Sequence, residues 1–334
     1  MPTVLGVGSA LIDCLAHVPE AFLNTVPGRK GGTETVCAGD MQDLLRSLPV
    51  APTRSPGGSA ANTVAALARL GFRTRHLCRI GSDEPGMVYR RAMAEAGVDL
   101  QAFKESAELP TGTCLSLITP DSQRTMRTFL GASGDLGCAD FRHRDLCGVT
   151  HVHAEGYLLE SPPLTQHILE TAFEAGCRIS FDVNAPEIGE RHRELLAELL
   201  KRYVDTVLVN HDEAVAVTGC QADEALRVLA GWCRTAVVKL GAEGALVRTN
   251  GVTWHIPAVS VHAVDTTGAG DCWAAGFIGG LLAGLDIDAA GRLGAILGAE
   301  VVQVTGAQLP PAGWKRVRRE FCRLAEGQFD SRST

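Results

Sequence analysis

The sequence predicts an α/β fold, a doubly wound and mostly parallel sheet with helices on both faces, carrying a small second β-sheet. Short apolar runs alternate with helical stretches along most of the chain, the order that builds parallel sheets through helical crossovers. The runs favour Val, Ile and Leu, as strands buried on both faces require. Of the 334 residues 46% are hydrophobic but only 5% aromatic, so aliphatic side chains must fill the space between sheet and helices.

Residues 4–7 form the first apolar run and end in Gly-Ser-Ala, which suits a buried parallel strand. Residues 61–70 (ANTVAALARL) have helical spacing and stop at Gly71, a residue that closes helices well. A strand over 74–80 and a helix over 85–96, ending at Gly97, come next. Further strands are predicted at 149–154, 179–182, 207–209 and 236–240, with helices at 164–175 and 191–200 between them. In such sheets ligands bind beyond the carboxyl ends of the strands.

The stretches 14–36 and 113–130 break that rhythm. They read as short, more polar strands joined by turns, such as the one over Pro27 to Gly32 and the one over Pro120 to Gln123. Without a helix to form a crossover, they predict a small β flap assembled from two insertions. The α/β core then comprises 1–13, 37–112 and 131–334, with the proline-rich 49–56 as a connector. No fixed-period repeat is present, and low complexity is confined to the polar tail 330–334.

The formal net charge of −7 at pH 7 disfavours non-specific nucleic-acid binding. The chain has 11 Cys, an odd number without a CxxC pair, so a zinc or disulfide framework is not expected. They read as reduced, mostly buried thiols. No basic start leads into a long apolar run, and no segment stays apolar for long enough to cross a bilayer. No nucleic-acid or membrane partner is expected, and the cytoplasm is the expected location.

The most informative stretch is Asp265-Thr266-Thr267-Gly268-Ala269-Gly270-Asp271, followed by an apolar helix over 272–282. Small residues at a helix start let backbone N–H groups approach an anion, and the helix dipole favours negative charge there. Asp271 falls in the first turn, where a carboxylate can accept a proton from an attacking hydroxyl. The residues alone leave a second reading open, a capping carboxylate on a Gly-rich turn. Gly57-Gly58-Ser59-Ala60-Ala61-Asn62 also opens a helix. The glycines permit close approach of a ligand and Asn62 offers a donor and an acceptor, but a flexible helix entry explains the same residues.

Together these stretches resemble the two signatures of the ribokinase-like family of carbohydrate and nucleoside kinases, in order and approximate separation. Asp13, Asn210-His211-Asp212-Glu213, Lys239-Leu240-Gly241-Ala242-Glu243-Gly244 and Gly306-Ala307-Gln308 extend the resemblance over nearly the whole chain. The resemblance implies transfer of the γ-phosphoryl group of ATP to a hydroxyl, a primary one, on a small sugar or nucleoside. Asp271 would be the base and Gly268, Ala269 and Gly270 the anion hole. Asp13, Gly57, Gly58 and Asn62 would bind the acceptor. Asn210 and Glu213 would hold Mg²⁺ through water, and Lys239, Gly241 and Gly244 would lie beside the nucleotide. Asp265 and Thr267 match positions that help bind a monovalent cation such as K⁺ in many members. The flap would be the family's lid, and some members form homodimers through it.

Within the family the front half looks closest to the adenosine kinase branch, through residues 4–13, 124–132 and Gly156-Tyr157, although Ser9 stands where that branch commonly has Asn. A sugar kinase acting on ribose, fructose or a ketosugar acid shares the scaffold, so the acceptor stays open. A reading from another class is a non-catalytic ligand-binding protein on a kinase scaffold.

Other patterns carry less. His143-Arg144-Asp145-Leu146 imitates a protein-kinase loop without its downstream Asn. Gly6-Val7-Gly8 lacks the third glycine of a dinucleotide site, and a Walker A sequence is absent. His151 and His153 share one face of a strand, either as satisfied strand residues or as a metal pair without a third ligand. Asp182 either faces the nucleotide or caps a loop. Lys315, Arg316, Arg318 and Arg319 read as a solvated helix face.

Overall fold

The computed structural model describes residues 2–121 and 123–331. Ser122 of the expected turn and residues 332–334 of the polar tail lie outside the described residues. An eight-stranded sheet runs in the order Val252–Ile256, Ala245–Thr249, Thr235–Lys239, Thr206–Asn210, Arg178–Asp182, His151–Glu155, Thr3–Val7, Arg73–Leu77. Neighbours are parallel except around Ala245–Thr249, which is antiparallel to both strands beside it.

Alternate residues of each central strand feed opposite faces. Val4 and Val237 join one hydrophobic core, while Leu5, Val7 and Val238 join the other. The strand order reverses between Thr3–Val7 and His151–Glu155, because the chain first runs out to Arg73–Leu77 and later returns on the other side. That switch point is where open α/β sheets leave a crevice.

The second sheet has five strands in the order Thr33–Thr35, Arg124–Gly131, Thr111–Ile118, Leu11–His17, Thr53–Gly57. Its buried face, with Ile12, Cys14, Leu115 and Leu117, is continuous with one core of the main body. Arg127 is 1% exposed, and its guanidinium donates to the Pro27, Gly32 and Met126 carbonyls. It thereby holds the Gly-rich turn against the sheet.

Two local expectations are corrected. The stretch 49–56 is not simply a connector, since Thr53–Gly57 pairs antiparallel with Leu11–Leu15. It is an edge strand, the one place in a sheet where Pro56 does not interrupt a ladder. The strand expected over 74–80 is divided at Cys78: Arg73–Leu77 stays in the large sheet, while Arg79–Gly81 pairs with Lys104–Ser106. Among the described residues no helix is long and apolar enough to cross a membrane, and all 11 cysteines are free.

Gly156 directly follows His151–Glu155, and a Cβ there would lie 2.0 Å from the Val183 carbonyl oxygen. Backbone therefore packs on backbone just below the crevice. Gly156→Ala is expected to destabilise the protein by about 1–3 kcal/mol through overpacking. Urea denaturation measures this. Gly137→Ala is the control, because a Cβ at Gly137 meets nothing nearer than 3.9 Å.

Candidate active site

The helix Ala269–Leu282 starts at the crevice and is buried from Cys272 to Gly280. Its glycines bring it close to its neighbours: a Cβ at Gly276 would lie 2.6 Å from the Leu293 carbonyl oxygen, and one at Gly279 would touch Phe72 and Leu67. Such close packing fixes where the first turn falls. Gly268, at φ +73, turns the chain into the helix. The first N–H groups of a helix have no intrahelical partner, although that of Ala269 turns back to Thr266 O at 3.2 Å. Asp271 sits in this turn. Its carboxylate accepts from Ser59 Oγ at 2.6 Å and from Asn62 Nδ2 at 2.9 Å. Burial pushes its carboxyl up to about 6 against those two hydrogen bonds, with Asp182 adding to the rise and Lys239 opposing it.

The structure thus brings Asn62 directly onto Asp271. Gly58 has φ +106, and a Cβ there would lie 2.1 Å from the Ser9 carbonyl oxygen. A Cβ at Gly57 would lie 2.1 Å from Asp13 Oδ2, so both glycines make room for the first crossover. Asp13, in Leu11–His17, faces the same space. Burial pushes its carboxyl up to about 7, Asp271 adding to the rise and Arg124 opposing it. A groove opens beside Gly57, Asn62 and Ala307, walled farther along by Ala65, Met93 and Trp314.

Glu155 was not singled out from the sequence, yet it is 0% exposed at the switch point. It accepts from the backbone N–H of Ser9 at 2.7 Å and of Ala60 at 3.0 Å. It therefore ties the end of the Thr3–Val7 strand to the start of the Ser59–Arg69 helix. Burial pushes its carboxyl up to about 7 despite these bonds. A carboxylate at the end of a predicted buried strand was the available signal.

The next strand ends form a charged row. Lys239 Nζ donates to Asp182 Oδ2 at 2.7 Å and would lie 3.2 Å from a Cβ at Gly270, beside the expected anion hole. Burial disfavours the Lys239 ammonium, but Asp182 and Glu213 outweigh it and raise its pKa. Asn210 and Glu213 spend their hydrogen bonds on each other. Asn210 donates to Glu213 through both its N–H and Nδ2, and Glu213 N–H donates to Asn210 Oδ1, a capping box on the helix His211–Thr218. Burial pushes the Glu213 carboxyl up to about 7, with Lys239 opposing. Asp182 Oδ1 is buried without a partner. Carboxylates of Asp182, Glu213 and Asp271 thus share the field of one ammonium, and Glu213 with the unpartnered oxygen of Asp182 is a donor set that fits a hydrated divalent cation. Among the described residues no group of three or more His, Cys, Asp or Glu is placed to hold a metal ion directly.

Asp265 and Thr267 lie together. Asp265 Oδ1 accepts from Thr267 N–H at 2.9 Å and Thr267 Oγ1 at 2.7 Å, and Oδ2 accepts from Gly306 N–H at 2.8 Å. Burial opposes ionisation of Asp265, but these bonds outweigh it and hold the carboxyl below its usual range. Arg124 reaches over from the second sheet to donate to Thr267 Oγ1 at 2.5 Å, 3.8 Å from Asp265. A guanidinium therefore stands beside the two residues expected to bind a monovalent cation.

Gly241 and Gly244, at φ +61 and +95, form the turn after Thr235–Lys239, and a Cβ at Gly244 would strike the Ile256 carbonyl oxygen. His151 and His153 both bond Ser180 Oγ, and burial pushes both imidazoles down to about 3, so they pack as neutral strand residues. Asp145 accepts from Arg142 N–H in a short turn. Arg316 of the terminal helix pairs with Glu300 of the helix before it, Ile287–Val301.

Comparison with known proteins is consistent with this geometry. The chain is 32% identical over 266 residues to the ATP-dependent ribose-1-phosphate kinase of Halopiger xanaduensis, covering 77% of this chain and 84% of that protein. The crystal structure of adenosine kinase from Sinorhizobium meliloti superposes with a TM-score of 0.88 at 29% identity, covering 96% of this chain and 99% of that one. A probable sugar kinase from Rhizobium etli gives 0.89 at 26% identity, covering 95% and 97%. The sequence pattern of the pfkB family of carbohydrate kinases matches residues 43–313, and the chain belongs to that family.

Proposed function

We propose that this kinase transfers the γ-phosphoryl group of ATP to a primary hydroxyl of a small sugar or nucleoside, with Asp271 as the base. The observation that carries the reading is the Asp271 carboxylate, held by Ser59 and Asn62 in the first turn of a helix whose N-terminus faces the same space. A raised carboxyl pKa brings the base closer to the operating pH. The helix start at Gly268, Ala269 and Gly270, with Lys239 beside it, suits the charge that develops on the transferring group. Asp13, Gly57, Gly58 and Asn62 border the acceptor space. Asn210 and Glu213, with Asp182 nearby, would hold Mg²⁺ through water, and the ion would screen the phosphate charge. Gly241 and Gly244 shape the turn beside the nucleotide. The second sheet acts as a lid that excludes water, and Arg124 links it to the Asp265–Thr267 turn.

Asp271→Asn is expected to lower kcat by roughly 10²–10⁴-fold, while acceptor binding by calorimetry stays near wild type. Equal loss of binding and turnover would contradict the role. The base must be ionised to act, so kcat should fall as pH drops through about 6 and level off above it. A pH–rate profile at saturating ATP checks this, and a flat profile across that range would count against Asp271.

The acceptor is tested by Mg²⁺-dependent ADP release with adenosine, inosine, guanosine, ribose and fructose, each with and without K⁺. Turnover with at least one of them is expected, and little dependence on K⁺, because Arg124 occupies the place beside Thr267 and Asp265. ATP binding without turnover on a broad acceptor panel would favour a non-catalytic role.

A further inference from the structure

Asp271 is presented by a chain of hydrogen bonds that begins beyond the site residues considered so far. Asn184 follows the strand Arg178–Asp182 and has φ +67. It sits in a tight turn in which Ala185 N–H donates to Val183 O at 2.9 Å. Few residues with a Cβ adopt that conformation, and Asn is among those that do.

The orientation of the Asn184 amide follows from its partners. Gly156 N–H donates to Asn184 Oδ1 at 2.8 Å, so the oxygen faces Gly156 and the NH₂ group faces Ser59. Asn184 Nδ2 then donates to Ser59 Oγ at 2.7 Å. A serine hydroxyl has one proton, which rotates to suit its partners. With Asn184 donating to the oxygen, that proton is left free to point at Asp271 Oδ1, 2.6 Å away. The far end of the chain cannot drift, because Gly156 is packed against the Val183 backbone.

We propose that Asn184 is a positioning residue for Asp271: by donating to Ser59 Oγ it directs the Ser59 proton onto Asp271 Oδ1. The carboxylate then stays oriented with Oδ2 toward Asn62. The proposal rests on the reading of Asp271 as the base. Charged groups around Asp271, namely Asp182, Lys239, Asp13, Glu155 and Glu213, act on it by charge. Asn184 is neutral and acts by direction.

Two variants separate the side chain from the backbone. Asn184→Gly keeps the positive φ and removes the amide. Asn184→Asp replaces the donor by an acceptor, so the Ser59 proton turns away from Asp271. With adenosine and ribose as acceptors, Asn184→Gly is expected to lower kcat by about 3–10-fold, the worth of one hydrogen bond, with KM for ATP unchanged. A Ser59 proton no longer directed at the ionised carboxylate stabilises it less and raises its pKa, so the acidic limb of kcat should move to higher pH, further in Asn184→Asp. Ser59→Ala, which removes that hydrogen bond outright, should show at least the displacement of Asn184→Gly, and adding Asn184→Gly to it should cost nothing more. An unmoved limb, or losses that multiply in the double variant, would overturn the relay.

Carboxyl-carbon NMR follows the same titration without an acceptor, the Asp271 signal being identified by its absence in Asp271→Asn. An upward displacement of its midpoint in Asn184→Gly supports the relay, and an unchanged midpoint overturns it. Turnover retained in Asp271→Asn would instead remove the base assignment, and the NMR midpoint would still decide the relay.

Discussion

Carboxylates gathered at the ends of neighbouring strands repel one another, and the containment of that repulsion shapes this site. Glu155, Asp182 and Glu213 are almost fully buried, and Asp13 and Asp271 stand beside them. Left bare, such groups would be protonated or would force the crevice open. Each is contained differently. Glu155 is held by backbone N–H groups, Glu213 by its capping partner Asn210, Asp182 by Lys239, and Asp271 by Ser59 and Asn62. Those partners come from separate crossovers, so the same interactions that quiet the charges also lock the loops around the acceptor space.

The containment is incomplete where the family's chemistry needs it to be. Asp182 keeps one oxygen without a partner, and Asp13, Glu213 and Asp271 all lie well above the usual carboxylate range. A crevice with surplus negative charge and one ammonium at the helix start favours the uptake of a cation.

Much of the fold was legible in the sequence because buried parallel strands leave unbroken apolar runs such as 4–7 and 236–238, whose identity no neighbour needs to confirm. The edge strand Thr53–Gly57 was not, since its prolines mimic a linker and only pairing with Leu11–Leu15 makes it a strand. The candidate site divides in the same way. The Gly-rich turn before Asp271 was visible because small residues ahead of an apolar helix are unusual together. Glu155, Asn184 and Arg124 stand singly, far from that turn in sequence, and only the crossovers of the sheet bring them to it. Asp182 was visible as a strand-end carboxylate, but its partner Lys239 could be found only through the order of the strands.

The position of Thr3–Val7, one strand in from the edge of the large sheet, has a further consequence. Its hydrogen-bonding neighbours are Arg73–Leu77 and His151–Glu155. During synthesis it therefore leaves the ribosome long before the second of them exists. An apolar ribbon with an open edge must wait until residues 151–155 are made, a state prone to mispairing. Chaperone dependence of this chain should accordingly be greatest before residue 155 emerges, while a strand that ends up inside its sheet is still an edge.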